Sequence, residues 1–197
     1  MRRRFAIRVA RYATFLGTLL GAGGGCATHD ASAEDTAAAA AAVPDEGFRP
    51  LAPGDTAPAY AAVTLAGDSV RLGAGAGAQP LTLLNLWATW CTSCREEFAD
   101  LEALQRALGP RGLRVLAVSV DRGGTDKVAR FVRAQGTSFA VVHDGAGRVR
   151  DAYRAVGVPE SYLIAADGTV LWRHAGGLHG APDAARSAVE RALKGDS

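Results

Sequence analysis

Two near-continuous apolar segments, Leu81–Trp87 and Leu113–Val120, dominate the middle of the chain. Apolar runs of this length without polar alternation are typical of central strands that are covered on both faces. Between them, apolar residues recur at helical spacing along Cys94–Leu108, and Gly109-Pro110 predicts the end of that helix. The order of strand, helix and strand indicates a layered α/β sheet.

Shorter elements surround this central unit. Apolar stripes and glycine-containing turns predict, in chain order, a hairpin of Tyr60–Leu65 and Ser69–Leu72, a helix between Thr125 and Gly136, a strand Phe139–Val142, a hairpin of Ser161–Ala165 and Thr169–Arg173, and a helix Pro182–Leu193. We therefore expect a central mixed sheet with helices on both faces and with the first hairpin at its edge.

The first 25 residues have a different pattern. Five arginines precede the uncharged apolar stretch Tyr12–Ala22, which is followed by three glycines and Cys26. A basic start, a short apolar run and small residues are typical of a bacterial export signal. This apolar run is too short to cross roughly 30 Å of membrane hydrocarbon as a helix. We predict that residues 1–25 are an export signal and that the protein acts outside the cytoplasm.

Cys26 stands where a lipoprotein signal carries the cysteine that is lipidated and becomes the N-terminus. The match is partial, because Gly23 takes the position of a Leu-like residue. We expect lipidation of Cys26, and ordinary cleavage nearby is the alternative. Residues 26–46 are rich in alanine and small polar residues, which favours a flexible tether. The folded domain is then predicted to cover residues 47–197.

The charge balance argues against nucleic-acid binding. The chain has 22 Lys and Arg residues against 20 Asp and Glu, but five arginines and no acidic residue precede Cys26. The rest of the chain therefore has 17 basic and 20 acidic residues, a net charge of −3. Nucleic-acid binding rests on a strongly basic surface, and this balance gives no such signal.

The pair Cys91-Thr92-Ser93-Cys94 is predicted to carry the chemistry. It lies where a predicted strand ends and a helix begins, so Cys91 faces unpaired backbone N–H groups that favour a thiolate. Cys91 would attack a partner disulfide and Cys94 would then release the reduced partner; the reverse order would oxidise a partner. A structural staple is disfavoured, because so small a loop restricts the unfolded chain little.

Metal binding by the same residues is the main alternative. Two cysteines supply only half of a four-ligand zinc shell, and no histidine has an informative spacing to them. We predict no bound metal and no cofactor other than the redox-active cysteine pair. A Cu(I)-binding chaperone that uses both thiolates, and a non-catalytic interaction domain, stay open as alternatives. Asp121, His143 and Asp144, which follow predicted strands, are interpreted as loop caps.

Several sequence features in one order carry a family resemblance. They are Gly54-Asp55-Thr56-Ala57-Pro58, Asn85 in the first apolar strand, Trp87-Ala88-Thr89-Trp90-Cys91-Thr92-Ser93-Cys94, and Gly157-Val158-Pro159-Glu160-Ser161 before a hairpin. From Leu51 to Leu193 the chain thereby resembles the TlpA/ResA-like extracytoplasmic branch of the thioredoxin superfamily. The resemblance implies a thioredoxin-like fold with an extra helix–strand unit between Cys94 and Pro159.

The resemblance also implies roles for residues around the cysteines. Pro159 would have a cis peptide bond and pack against the sulfurs, and Val158 would offer its backbone groups to an extended substrate strand. Trp90 would form a wall of the site. Two residues depart from the family pattern. Ser93 stands before the second cysteine, where proline is usual, and Ala99 stands where the branch often has a proline that kinks the helix.

Glu97 lies one helical turn after Cys94, beside the apolar stripe of the predicted helix. Partial burial would raise its pKa and fit it for passing protons to and from Cys94. The alternative is a solvated helix acid like Glu96 and Asp100.

These features predict an extracytoplasmic thiol–disulfide oxidoreductase that acts on protein substrates. The resemblance implies a reductase for cytochrome c maturation or related thiol reduction, with a membrane thiol carrier as electron donor. A thiol oxidase that uses the same pair is the alternative, because the residues permit either direction.

Overall fold

The computed structural model describes residues 48–77, 80–180 and 182–195, so the predicted signal, Cys26 and the predicted tether all lie outside the described residues. The strands are β1 Tyr60–Val63, β2 Ser69–Leu72, β3 Leu81–Trp87, β4 Leu113–Ser119, β5 Ala140–His143, β6 Glu160–Ile164 and β7 Val170–Ala175. The α-helices are α1 Thr92–Glu96, α2 Phe98–Leu108, α3 Asp126–Gln135, α4 Arg148–Ala152 and α5 Pro182–Lys194. Short 3₁₀ turns occur at Gly109–Arg111 and Leu178–Gly180.

The central sheet of the described residues has the strand order β5-β4-β3-β6-β7. β4 is parallel to both β3 and β5, whereas β6 runs antiparallel to β3 and to β7. The helix α2 lies between β3 and β4 in the chain and buries one apolar stripe, made of Phe98, Leu101, Leu104 and Leu108. The mixed α/β sheet predicted from the sequence is confirmed.

Successive residues of β3 point to opposite faces of the sheet, and each face has its own apolar core. Leu83 packs with residues of α2, α3 and α5 on one face. Leu84 and Leu86 pack on the other face with the β1–β2 hairpin and with Tyr153. Because both faces are covered, residues 83–87 are fully buried, as the continuous apolar pattern predicts.

Aromatic rings fill the core beneath the end of β3. The ring of Trp87 lies 4.5 Å from that of Phe98 and 5.2 Å from that of Phe131, between ring centroids. Tilted and edge-to-face contacts of this kind add stability beyond the apolar area that they bury. Trp87 therefore joins the end of β3 to α2 and α3, and the loop that follows starts from a rigid point.

The predicted β1–β2 hairpin is confirmed, and it meets the central sheet at the edge strand β5. Among the described residues it forms a two-stranded sheet of its own, which reaches β5 through a bridge between Thr64 and Val142. Its apolar side chains, Tyr60, Val70 and Leu72, pack onto one face of the central sheet.

The helices also differ in detail from the prediction. The predicted helix Cys94–Leu108 begins earlier, at Thr92, and is interrupted at Glu97. The apolar pattern does not predict α4, because five residues, of which Val149 is buried, are too few to show a helical period.

Candidate active site

Cys91 and Cys94 form a disulfide at the start of α1. Cys91 is the N-cap residue of this helix, and the backbone N–H of Cys94 donates a hydrogen bond to the Cys91 sulfur over 3.2 Å. After reduction the same N–H group would face a thiolate, the charge that a helix N-terminus stabilises. The predicted position of the pair between a strand and a helix is confirmed.

The two cysteines differ in their access to solvent. Cys91 is 8% exposed, whereas Cys94 is completely buried. A partner sulfur can therefore reach Cys91 but not Cys94. This asymmetry matches the order in which the sequence predicts that the two sulfurs react.

The loop before β6 lies against the accessible sulfur. The peptide bond between Val158 and Pro159 is cis, as the family resemblance implies. The carbonyl oxygen of Val158 lies 3.8 Å from the Cys91 sulfur. An extended segment that binds to this backbone would run directly past Cys91.

The hydroxyl of Ser93 lies 3.5 Å from the Cys91 sulfur. A hydroxyl can donate a hydrogen bond to a thiolate, and proline, which is usual here in the family, has no such group. The departure from the family pattern therefore adds a polar neighbour to the accessible sulfur.

Glu97 lies at the break between α1 and α2 and is fully buried. Its Oε1 accepts a hydrogen bond from Asn85 Nδ2 at 2.8 Å, and its Oε2 accepts one from the backbone N–H of Leu178 at 2.8 Å. Burial raises the pKa of Glu97 to about 7, although these two hydrogen bonds favour the charged form and oppose the shift. The alternative of a solvated helix acid is wrong.

Asn85 connects this carboxyl to the central sheet. Its Nδ2 also lies 3.1 Å from the hydroxyl of Ser161 on the neighbouring strand β6. Asn85, one of the residues that carry the family resemblance, is thus an amide that binds Glu97 in the core. A carboxyl held in this way, three residues after Cys94 and with a pKa near neutrality, can both accept and release a proton.

Asp121 fixes the loop between β3 and Cys91. Its carboxylate accepts hydrogen bonds from the backbone N–H of Thr89 at 2.8 Å, from the Thr89 hydroxyl at 2.5 Å, and from the Ser119 hydroxyl at 2.8 Å. Burial alone would raise the pKa of Asp121, but these hydrogen bonds outweigh it and hold the pKa below its usual range. The interpretation of Asp121 as a loop cap is confirmed, and the loop that it caps is the one that carries Cys91.

Glu160 fixes the loop that carries Val158, a role that the sequence did not reveal. It is fully buried, and its Oε2 accepts a hydrogen bond from the backbone N–H of Val156 at 2.9 Å. Its Oε1 accepts bonds from Arg173 at 2.7 Å and from the Tyr162 hydroxyl at 2.6 Å. The available sequence signal was an acid at the start of an otherwise apolar strand.

A groove of about 480 Å³ opens beside the disulfide, between the loop that carries Trp90 and the loop that carries Val158. We call it the Trp90 groove. Its apolar part consists of Trp90, Val120, Val156, Gly157 and Val158, and its polar part of Asp121, Arg122, Lys127 and Arg150. The side chain of Trp90 is 64% exposed and that of Val156 61%. The predicted wall beside Cys91 is therefore one side of an open groove.

The described part of the chain has no group of three or more His, Cys, Asp and Glu residues arranged to hold a metal ion. Both ring nitrogens of His143 have partners within the fold: Nδ1 lies 2.9 Å from the Thr125 hydroxyl and Nε2 lies 2.8 Å from the Asp121 carbonyl oxygen.

A mixed sheet that carries a C-x-x-C disulfide at a helix N-terminus, opposite a cis-proline loop, defines a thioredoxin-like protein. The model of the AhpC/TSA family matches residues 53–173, and the chain belongs to this family.

Two relatives with assigned names are similar to part of the chain. One is the thiol-disulfide oxidoreductase ResA of Oceanobacillus iheyensis, 35% identical over 89 residues, which are 45% of this chain and 45% of the relative. The other is the thiol:disulfide interchange protein DsbE of Escherichia coli K12, 34% identical over 98 residues, or 49% of this chain and 50% of the relative. The matched segment thus spans about half the length of each relative.

A solved structure extends the likeness to nearly the whole described part. A candidate thiol:disulfide interchange protein DsbE of Chlorobium tepidum superposes with a TM-score of 0.66 at 29% identity. The superposition covers 73% of this chain and 99% of that protein. The thioredoxin-like fold with its N-terminal hairpin is therefore shared.

The buried carboxyl of Glu97 makes stability depend on pH. Between the ordinary pKa of 4.5 and the native pKa of about 7, the unfolded chain loses this proton before the folded protein does, so stability falls as the pH rises. We expect the free energy of unfolding of Glu97→Gln, relative to the unsubstituted protein, to rise by about 3 kcal/mol from about pH 4 to about pH 8.

Chemical denaturation of the oxidised protein across this pH range measures the effect. Glu96→Gln is the matched control, because Glu96 is the exposed acid that directly precedes Glu97 in the chain. A difference between Glu97→Gln and the unsubstituted protein that stays constant with pH would contradict the prediction.

Proposed function

We propose that this protein is an extracytoplasmic thiol–disulfide oxidoreductase that reduces disulfides in protein substrates. The observation that carries the proposal is the Cys91–Cys94 disulfide, with one accessible sulfur and one buried sulfur beside the Val158–Pro159 loop. Two relatives named as thiol–disulfide exchange proteins, each matched over about half its length, support the same chemistry.

The reaction exchanges two electrons and two protons between the pair and a substrate disulfide. The Cys91 thiolate attacks one substrate sulfur, and the other substrate sulfur leaves as a thiolate and takes up a proton. Cys94 then loses its proton and attacks the Cys91 sulfur, which breaks the mixed disulfide and releases the second substrate thiol. The protein ends with the Cys91–Cys94 disulfide, and an external dithiol must reduce it again by the same steps in reverse.

We assign to Glu97 the role of accepting and returning the proton of the Cys94 thiol. Cys94 is completely buried, so water cannot easily take the proton that this thiol must lose. The Glu97 carboxyl, three residues further on and with a pKa of about 7, can accept the proton as an anion and return it when the pair is reduced again. Asn85 and the Leu178 N–H hold this carboxyl in place in both states.

The substrate class and the direction rest on kinship. The TlpA/ResA-like branch that the sequence resembles implies reduction of protein disulfides to thiols for cytochrome c maturation or a related process. A membrane thiol carrier would supply the electrons.

The location rests on the first part of the sequence. We propose that residues 1–25 direct export, that Cys26 is lipidated, and that residues 26–46 tether the domain of residues 47–197 to a membrane. Within the described residues, no helix has the length and apolarity needed to cross a membrane.

The roles of the two cysteines predict opposite results for two substitutions. Both substitutions are made together with Cys26→Ser, so that no third thiol reacts. Cys94→Ser retains the attacking sulfur but cannot resolve the mixed disulfide, so reduced protein mixed with glutathione disulfide is expected to accumulate about one glutathione per chain. Cys91→Ser leaves a buried sulfur, and we expect its adduct to form at least about tenfold more slowly. Intact-protein mass spectrometry measures both. Equal rates of adduct formation would refute the assignment.

The reductase direction predicts the potential of the Cys91–Cys94 couple. Thiol trapping of the full chain in graded dithiothreitol or glutathione buffers should give a reduction potential of about −270 mV, as in thioredoxin. A value near about −120 mV would instead make the protein an oxidant. The absence of a reversible couple would refute the oxidoreductase proposal itself.

The tether proposal predicts the mass of the protein purified from a membrane fraction. Lipidation gives a chain that begins at Cys26 and carries a diacylglycerol, whereas ordinary cleavage gives an unmodified chain. Mass spectrometry of the mature protein distinguishes them, and Cys26→Ser should abolish both the added mass and the membrane association. An unmodified N-terminus would contradict the proposal.

A further inference from the structure

The lining of the Trp90 groove has an excess of positive charge. Arg122 is exposed in the loop between β4 and α3, and it has no ion-pair partner among the described residues. Lys127, at the start of α3, is 60% exposed, and Arg150 of α4 is 43% exposed. Three cations from three different elements thus line one groove.

The acidic neighbours of these cations offset them only in part. Lys127 Nζ lies 3.9 Å from an Asp121 oxygen, but that buried carboxylate is already bound by Thr89 and Ser119. Arg150 pairs with Asp151 at 2.9 Å, and both side chains are exposed. Exposed ion pairs of this kind contribute little and exchange readily. Arg122 therefore contributes a full positive charge, and Arg150 can turn to a new partner at small cost.

This local charge runs against the charge of the rest of the chain. The residues after Cys26 comprise 20 acidic residues and 17 basic ones, since five of the 22 Lys and Arg residues precede it. Four charged residues line the groove, and three of them are cations. An excess of positive charge in a groove lined by Trp90, the residue before the reactive Cys91, therefore needs a local explanation.

We propose that the Trp90 groove selects disulfide substrates in which an acidic side chain lies close to the target cysteine. The inference deepens the proposed function and rests on it. An apolar side chain of the substrate would cover Trp90 and Val156, while an adjacent carboxylate would reach Arg122 and Arg150. Displacement of water from the groove strengthens this attraction, and the exposed cations also accelerate the encounter with an acidic segment.

The geometry brings this selection close to the reacting sulfur. Trp90 directly precedes Cys91, and the Val158 carbonyl, which lies 3.8 Å from the Cys91 sulfur, belongs to a residue that also lines the groove. A substrate segment that runs along Val158 would have its cysteine at Cys91 and its neighbouring residues in the groove. Side chains within a few residues of the target cysteine would therefore be read together with it.

A set of three peptides tests the preference with the full, reduced protein. Each peptide has one central cysteine bonded to 2-nitro-5-thiobenzoate and differs only in the residues two positions away on both sides, which are Glu, Gln or Lys. Attack by Cys91 on the peptide sulfur releases the coloured thiolate, and Cys94 then releases the peptide thiol. We expect the second-order rate constant to decrease from the Glu peptide to the Gln peptide to the Lys peptide. At low salt the Glu peptide should react about tenfold faster than the Lys peptide.

Salt and two substitutions identify the source of the preference. In about 1 M salt the ratio of the Glu-peptide to the Lys-peptide rate constant should fall towards one, because the Debye length shrinks to about 3 Å. Arg122→Glu should lower the Glu-to-Lys ratio at least about threefold, and Arg122→Gln should lower it less. Arg111→Glu is the matched control. Arg111 is also exposed, but it lies just before the start of β4, whereas Arg122 lies beyond the end of this strand.

The outcomes separate this inference from the proposed function. Because each ratio is taken within one variant, a general loss of activity cancels. Equal rates for the three peptides at low salt would overturn the acidic preference but leave the oxidoreductase intact. An equal effect of Arg111→Glu and Arg122→Glu would also overturn it, since net charge would then explain the ratio. Failure to reduce any of the three peptides would refute the oxidoreductase proposal as well.

Discussion

The strand β3 is buried on both faces and paired along both edges, in parallel with β4 and antiparallel to β6. This arrangement brings three loops to one end of the sheet. Trp87 is opposite Ser119 at the ends of β3 and β4, and Leu86 is opposite Glu160 at the start of β6. Strand pairing alone therefore brings together the Cys91 loop, the Asp121 loop and the Val158 loop. The Trp90 groove is the space between them.

Two buried carboxylates hold the loops that flank the accessible sulfur. Asp121 binds the backbone of the Cys91 loop at Thr89, and Glu160 binds the backbone of the Val158 loop at Val156. Each acid is fixed in turn by other polar groups, so neither loop depends on a bound partner for its shape. Glu97, the third buried acid near the disulfide, differs from both, because its pKa of about 7 leaves it free to change charge.

The sequence predicted the features that depend on local pattern. The apolar runs identified β3 and β4, and the spacing of Cys91 and Cys94 placed the pair at a helix start. Features that depend on residues far apart in the chain were harder to predict. Glu96 and Glu97 look alike in the sequence, and their difference comes from Asn85 on β3 and the N–H of Leu178, 81 positions beyond Glu97. The cations of the Trp90 groove come from three separate elements, so no sequence window contains them all.

The difference in burial between Cys91 and Cys94 has a kinetic consequence. In the proposed function, the reductant and the substrate would both use the one accessible sulfur, and they could not be bound to it at the same time. Turnover would then be a double displacement in which each partner leaves before the other arrives. The two proposed partners would also compete for the Trp90 groove, so a substitution there that strengthens the binding of one of them can weaken the binding of the other.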